Sequence, residues 1–245
     1  MPWAADVTGI DLQGILSGAF VAPEVFALRP DYRALLIAVD GIRPAAGDAA
    51  SEALLARAEE SARAAVADAP VEEEPHVAAW REAYRAFGAK PQRTRNSLEA
   101  LLRRAAGDGL PRVNRLTDVY NAVCVLHRLP LGGEDLSAYQ GSPRLTRATG
   151  AEPFDTVAGG EDVVEHPLPG EVIWGDEAGV TCRMWNWRQG RRTRLTDETA
   201  SALFILDALD PMTDEQLLAA ADDLLAHLRE ADPDLVVAQR LIAAG

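Results

Sequence analysis

Runs of apolar residues that end at turn-forming residues predict strands early in the chain. Residues 32–39 are rich in apolar side chains and end at Asp40-Gly41, a dipeptide typical of tight turns, so a strand is expected there. Residues 21–28 also resemble a strand, whereas residues 1–20 show little periodicity and predict a partly ordered arm. The first sheet elements are therefore expected after residue 20.

Apolar positions at helical spacing predict three helices in the next part of the chain. The first covers residues 51–68 with Ser51 as its N-cap, and the second begins at Pro75 and ends before Gly88. The third has the sequence SLEALLRRAA and is capped by Asn96 or Ser97. An aromatic stripe on the second helix favours packing in the core: Trp80, Tyr84 and Phe87.

Basic residues lie along the second helix and in the loop that leads into the third. A basic loop before a helix N-terminus can bind phosphate, and the same pattern also fits a plain connector. These basic residues are Arg81, Arg85, Lys90, Arg93 and Arg95.

A polar stripe marks the segment 111–135, which predicts a helix followed by a turn at Leu-Pro-Leu-Gly-Gly. Asn114, Asp118 and Asn121 are spaced four and three residues apart, so a helix places them on one line beside an apolar stripe. Such a line faces either solvent or a pocket, and the spacing alone does not decide between them.

The second half of the chain alternates short strands with turns and then becomes helical. Residues 144–148 alternate like a strand, and residues 169–176 and 180–187 predict a hairpin. Residues 202–209 fit a strand or a helix, and residues 213–245 predict two C-terminal helices, the second starting at Pro233. This order of elements predicts a single α+β domain with a mixed or antiparallel sheet.

Composition fits a globular protein in a reducing cytoplasm. Of the 245 residues, 48% are hydrophobic and 25% charged, and no run of 18 apolar residues predicts a membrane span. The N-terminus lacks the basic region of a secretory signal. Cys124 and Cys182 are read as buried thiols, and the four histidines form no metal-ligand pair. We therefore expect no metal, no cofactor and no membrane partner.

The net charge of −14 is unevenly distributed. Residues 80–115 carry nine Lys or Arg against three Asp or Glu, and residues 183–194 carry five Arg and no acid. If these two basic segments meet, they form one basic face on an acidic body. If they do not, both are ordinary solvated surfaces. An acidic chain repels nucleic acid on average, and DNA is not an expected partner.

The common catalytic motifs are missing from this sequence. There is no GxGxxG, Walker loop, HExxH or GxSxG, and no acidic pair stands out. Cys124 and His127 share a helix face, but neighbours at that spacing rarely align for nucleophilic catalysis. The sequence WNWRQ at 185–189 predicts two Trp on one strand face. Trp185, Asn186, Arg188 and Gln189 can then bind a planar or polar ligand, or Trp185 can belong to the core.

Several segments together resemble the B3/B4 domain of the bacterial phenylalanyl-tRNA synthetase beta subunit, and more closely the free-standing B3/B4-domain proteins of bacteria. The combination of N-x-x-x-D-x-x-N at 114–121, a Pro and a turn, and the strand sequence LTRATGAE at 145–152 is fairly specific. The resemblance extends over a core of about residues 70–210, in the family's order. It implies the mixed β core flanked by helices of the phenylalanyl-tRNA synthetase and tRNA-lysidine synthetase type.

The resemblance also implies a link to tRNA. The synthetase domain hydrolyses tyrosine wrongly attached to its tRNA. The free-standing members are similar enough to suggest that they clear some misacylated tRNA in trans. Asn121 matches a pocket asparagine, but the pocket histidine falls on Gly132 and the pocket glutamate near Ile205. Trp185-Asn186 replaces an Ala-Gly strand, so tyrosine specificity is not expected here.

We therefore predict a trans-acting aminoacyl-tRNA deacylase, or a binder of aminoacyl-tRNA, with the catalytic group unassigned. Asn114, Asp118, Asn121, Trp185, Asn186, Arg188 and Gln189 would line the pocket, and Arg81, Arg85, Lys90, Arg93 and Arg95 would contact the tRNA. The alternative is a small-molecule module that binds an amino-acid-like ligand and has lost tRNA, which the net charge of −14 favours.

Overall fold

The computed structural model describes residues 9–245, which form seven α-helices, eleven strands and two short 3₁₀ helices. The helices are α1 (Leu12–Gly18), α2 (Pro23–Phe26), α3 (Ala49–Asp68), α4 (Pro75–Ala86), α5 (Ser97–Ala106), α6 (Arg115–His127) and α7 (Asp214–Ala231). The strands are β1 (Phe20–Val21), β2 (Arg33–Asp40), β3 (Leu131–Asp135), β4 (Arg144–Arg147), β5 (Phe154–Ala158), β6 (Glu161–Glu165), β7 (Val172–Asp176), β8 (Gly179–Arg183), β9 (Arg188–Gln189), β10 (Ser201–Ala208) and β11 (Val236–Ala243).

Two main sheets and a layer of helices build the fold. An antiparallel four-stranded sheet has the order β11-β2-β10-β3, and a five-stranded sheet has the order β1-β4-β7-β8-β9. The pair β1–β4 is parallel and its neighbours are antiparallel, so the predicted α+β fold with a mixed sheet is confirmed. Within residues 9–245, no helix has both the length and the apolar character that crossing a bilayer requires.

The central strands of the four-stranded sheet, β2 and β10, are buried on both faces. On β2, Leu35, Ile37 and Val39 belong to the core shared with α3, α5, α6 and α7. The alternating residues Leu36 and Ala38 belong to a second core that also contains residues of the five-stranded sheet. A strand covered on both sides needs apolar residues at nearly every position, which explains the unbroken apolar run in the sequence.

The structure corrects the predictions at both ends of the chain. Residues 1–8 of the expected arm lie outside the described residues, but residues 12–18 form α1, whose Leu12 and Leu16 are buried. The strand expected over residues 21–28 is only β1, followed by α2 with Pro23 in its first turn. The helix expected from Pro233 is β11, because pairing with β2 outweighs local helix preference.

The segment 111–135 is shorter as a helix than predicted. The helix α6 begins only after Asn114, which caps it, and Leu131–Asp135 forms the strand β3 instead of a turn. A Cβ on Gly133 would lie 2.7 Å from Leu195 Cδ1 and 3.0 Å from a Phe204 ring carbon. This glycine therefore allows close packing within a strand.

The helix α3 begins two residues before its predicted start. Its N-cap is Asp48, and Ser51, which was predicted as the N-cap, completes the capping box.

The sequence WNW is a turn, although a strand was predicted there. Strand β8 ends at Arg183, and Met184 and Trp185 then adopt left-handed φ angles of 47° and 68°. The turn is held by the buried Glu171 carboxylate, which accepts hydrogen bonds from Arg183 Nε at 2.9 Å, Arg183 Nη2 at 2.8 Å and Met184 N at 3.1 Å. The two Trp side chains consequently do not share a strand face.

We expect Glu171→Ala to lower the free energy of unfolding by about 3–5 kcal/mol, because it leaves the buried Arg183 guanidinium without its main partner. Urea denaturation measures the effect. Asp162→Ala is the matched control, since Asp162 pairs with Arg191 at 2.7 Å but is 63% exposed, and its loss should cost below about 1 kcal/mol. Equal losses in the two variants would contradict this account of the turn.

Candidate functional site

A cavity of about 230 Å³ lies between the two main sheets. Its walls come from β3 and β10 on one side and from β7, β8, β9 and the turn 184–187 on the other. The first turns of α5 and the middle of α6 close it with Ser97, Leu101, Tyr120 and Asn121. The cavity is therefore enclosed by elements from distant parts of the sequence, which only the fold brings together.

Four of the seven predicted pocket residues line this cavity: Asn121, Trp185, Asn186 and Gln189. Asn121 is 6% exposed, and its amide makes no hydrogen bond within residues 9–245. An amide in that position can donate to a ligand and accept from it. The structure places the side chains of all four residues around this cavity, and their role in binding stays a prediction.

The other three predicted residues lie outside the cavity. Asn114 is occupied as the N-cap of α6, where its Oδ1 accepts from Thr117 N at 2.9 Å. Asp118 accepts from Val113 N at 2.9 Å, and thereby holds the entry to the helix. Arg188 turns away and donates to Thr156 Oγ1 at 2.7 Å. Helical spacing predicted the polar stripe, but two of its members satisfy local backbone groups instead of facing a ligand.

Two carboxyl groups that the sequence did not reveal also line the cavity. Glu134 on β3 and Asp207 on β10 are 1% and 2% exposed. Between them, Gly132 and Ile205 are directly paired across the two strands. An acid inside the apolar sequence SALFILDA was the available signal, because a charged residue in a buried strand requires compensation.

Asp207 is held by a hydrogen-bond network that crosses between the sheets. Tyr32 Oη donates to its Oδ1 at 2.5 Å, and Asn186 Nδ2 donates to its Oδ2 at 3.2 Å. Tyr84 Oη donates to Asn186 Oδ1 at 2.9 Å, which fixes the orientation of that amide. Burial raises the pKa of Asp207 to about 7, against the opposing effect of these donors.

Glu134 has a similar environment at another part of the cavity wall. It accepts a hydrogen bond from the Tyr139 hydroxyl. Burial raises the pKa of Glu134 to about 7, and the negative Asp176 adds to this shift while Arg192 opposes it. A carboxyl group that titrates near neutral pH can accept a proton from a ligand or bind a cationic group.

Aromatic side chains give the cavity a largely apolar lining with a few donors. Trp185 is fully buried and packs edge-on against Tyr32 and Trp80, with ring centroids 4.9 and 5.3 Å apart. It is thus both a core residue and part of the wall. The indole N–H groups of Trp174 and Trp185 have no hydrogen-bond partner of good geometry among the described residues.

Gly132 shows how the cavity differs from the one that the resemblance implied. The resemblance predicts that the pocket histidine of the synthetase corresponds to this position. A Cβ at Gly132 would lie 2.9 Å from Gln189 Nε2, which donates to Gly133 O at 3.0 Å. The missing side chain therefore leaves room for Gln189, a residue from the other sheet.

The pair Cys124 and His127 lies elsewhere and does not form a nucleophile. Burial raises the pKa of Cys124 to about 12, so the thiol stays protonated at neutral pH. His127 Nε2 lies 2.9 Å from Asp223 Oδ2 on α7. The prediction that both cysteines are buried free thiols is confirmed.

The two basic segments meet beside the cavity, where Ser97 N donates to Asn186 O at 3.0 Å. Most of their charge is neutralised locally. Arg81 donates two hydrogen bonds to the buried Glu99, and Arg95 lies 3.5 Å from the same carboxylate. Within residues 9–245, three of the five predicted tRNA contacts are free of ion pairs and partly or fully exposed: Arg85, Lys90 and Arg93.

Comparison with models of protein families agrees with the resemblance found in the sequence. The sequence model of the B3/4 domain matches residues 79–242. No curated protein matches the chain. A solved N-terminal fragment of the phenylalanyl-tRNA synthetase beta-subunit from Pyrococcus horikoshii is similar with 11% identity and a TM-score of 0.44, over 91% of this chain and 50% of that one. The chain thus spans about half the length of that fragment.

Asp207→Asn should change the pH dependence of stability. The pKa of Asp207 is about 7 in the folded protein, against 3.8 for an unburied aspartate. Between these two pH values the folded protein therefore retains a proton that the unfolded chain has lost. Stability therefore falls as pH rises from about 4 to about 7, by roughly 1.4 kcal/mol per unit. Asparagine resembles the protonated acid, so the variant should lose on the order of 2 kcal/mol less between about pH 5 and pH 7.

Urea denaturation at a series of pH values measures this difference. Asp222→Asn, at an exposed position on α7, is the matched control and should keep the wild-type slope. An unchanged slope in Asp207→Asn would show that Asp207 is ionised throughout this range.

Proposed function

The chain belongs to the B3/4 domain family, and from this membership and the geometry of its cavity we propose that it binds the aminoacyl group of an aminoacyl-tRNA. The observation that carries the proposal is one cavity with two buried carboxyl groups, Glu134 and Asp207, and the unpaired amide of Asn121. It lies where the two basic segments meet.

The cavity suits an amino acid in size and chemistry. A volume of about 230 Å³ accepts a side chain but not a folded macromolecule. The carboxyl groups can bind an ammonium group, and the amides of Asn121 and Gln189 can bind an ester carbonyl oxygen. Aromatic rings supply the apolar contact that small-molecule sites usually show.

We further propose that the bound ester is hydrolysed, as the resemblance implies. Water attacks the ester carbonyl, the bond to the ribose oxygen breaks, and the products are a free amino acid and a tRNA hydroxyl. Glu134 is the candidate base, since burial raises its pKa to about 7 and it lines the cavity. Amide donors would stabilise the negative charge that develops on the carbonyl oxygen. The reaction would take place in the cytoplasm.

A free amino acid or related small molecule is the second candidate ligand. It is favoured by the local neutralisation of the basic segments, in which Arg81, Arg95 and Arg103 all contact the single carboxylate of Glu99. Few cations then remain for a tRNA backbone, on a protein of net charge −14.

A deacylation assay with a panel of mischarged tRNAs tests the proposal. We expect one or a few aminoacyl groups to be released much faster than by buffer. Asn121→Ala should lower kcat/KM by about tenfold or more, through loss of a contact to the ester. Gln13→Ala removes an exposed amide on α1, outside both the cavity and its surroundings, and is the control that should stay near wild type. Absence of release for every tRNA by folded protein would refute hydrolysis.

The tRNA contacts have their own expected outcome. Substitution of Arg85, Lys90 and Arg93 by Ala should weaken tRNA binding. The slope of log affinity against log salt concentration should become shallower by about one for each lost phosphate contact. Free amino acids that raise the melting temperature, together with no tRNA binding at moderate salt, would favour the second candidate.

A further inference from the structure

A second groove adjoins the cavity and has a different character. It has a volume of about 310 Å³ and shares two lining residues with the cavity, Tyr120 and Gln189. Its walls are the start of α6, strand β5 and residues 188–195. We call it the arginine groove, because it is lined by Arg188, Arg191 and Arg194 and by no Asp or Glu.

The three arginines differ in how strongly they are already engaged. Arg188 donates hydrogen bonds to Thr156 Oγ1 and Val157 O at 2.7 and 3.1 Å, and its Nη1 lies 3.7 Å from Glu165 Oε1. Arg191 pairs with Asp155 at 3.2 Å and with Asp162 at 2.7 Å, and the second pair is weak because Asp162 is 63% exposed. Arg194 is exposed and makes no ion pair within residues 9–245. Arg194 is therefore the groove arginine that no carboxylate of the described residues neutralises, on a protein of net charge −14.

The groove also exposes apolar surface beside its cations. Val113 and Val157, which both line it, are 53% and 42% exposed, and Tyr120 contributes an aromatic ring. The hydroxyl groups of Thr117 and Thr156 lie in the same lining. Guanidinium groups suit phosphate, apolar surfaces suit bases, and hydroxyl groups suit the ribose, so the combination fits nucleotides better than a simple anion.

We infer that the arginine groove binds the 3′-terminal nucleotides of a single-stranded RNA whose aminoacyl group occupies the cavity. This inference rests on the proposed function and adds the path of the RNA. The ester then lies at the boundary formed by Tyr120 and Gln189, with the phosphodiester at Arg194 and Arg191. The RNA end would lie along residues 188–195, a segment separate from the basic loop 90–95.

Fluorescence anisotropy with a labelled RNA tetranucleotide ending in a free 3′-hydroxyl tests the inference without any aminoacyl group. At low salt we expect saturable binding to the full-length protein. Arg194→Glu should weaken it by at least about tenfold and lower the salt slope by about one. Arg57→Glu is the matched control, because Arg57 is exposed on α3, forms no ion pair within residues 9–245 and lies outside the groove.

Three results would overturn the inference. They are no binding of the tetranucleotide, equal losses in the Arg194 and Arg57 variants, and equally effective competition by inorganic phosphate at the same concentration. The proposed function is judged separately, from deacylation and from melting shifts with free amino acids. If the tetranucleotide binds but aminoacyl groups have no effect, the arginine groove is a binding site and the use of the cavity is refuted. If aminoacyl groups are bound or released but the tetranucleotide does not bind, the cavity is used and the inference about the groove is refuted.

Discussion

Burial of the central strands β2 and β10 on both faces is the constraint on which this structure depends. Strands β2 and β10 lie between the helical layer and the second sheet, and all eight residues of β10 are buried. A charged side chain in such a strand is tolerated only with hydrogen-bond partners. Asp207 meets this condition through Tyr32 and Asn186. The same network that makes the acid tolerable also places it in the cavity wall and keeps its pKa near neutrality.

The position of the cavity follows from the loop that ends β8. Glu171 accepts hydrogen bonds from the Arg183 side chain and the Met184 backbone, and the chain then reverses through two left-handed residues. The reversal places Trp185 in the core and Asn186 between Tyr84 and Asp207. The buried ion pair of Glu171 and Arg183 therefore fixes the orientation of several wall residues, although neither member lines the cavity.

Periodicity predicted the elements that are amphipathic or uniformly buried, such as β2, α3, α4 and α7. It failed where distant pairing decides the conformation, as for β3 and β11. For the site, the family resemblance identified Asn121, and composition drew attention to 185–189. Neither the resemblance nor the composition identified Glu134, because its environment depends on Tyr139, Thr181 and Arg192, which come from three separate segments. A side chain's burial and charge state are properties of the assembled sheets, and spacing along the chain does not encode them.

The pairing of β2 with β10 has a consequence for synthesis on the ribosome. Asp40 pairs with Ser201, so the buried apolar strand β2 emerges long before its neighbour β10. At about 5–20 residues per second, translation of the intervening 160 residues takes on the order of 10–30 s. During that interval β2 lacks a partner on both edges, because β10 and β11 both follow it in the chain, and its apolar side chains can associate with other chains. Helix α3, which follows β2 directly and shares a core with it in the folded protein, is the first long element made that can cover them.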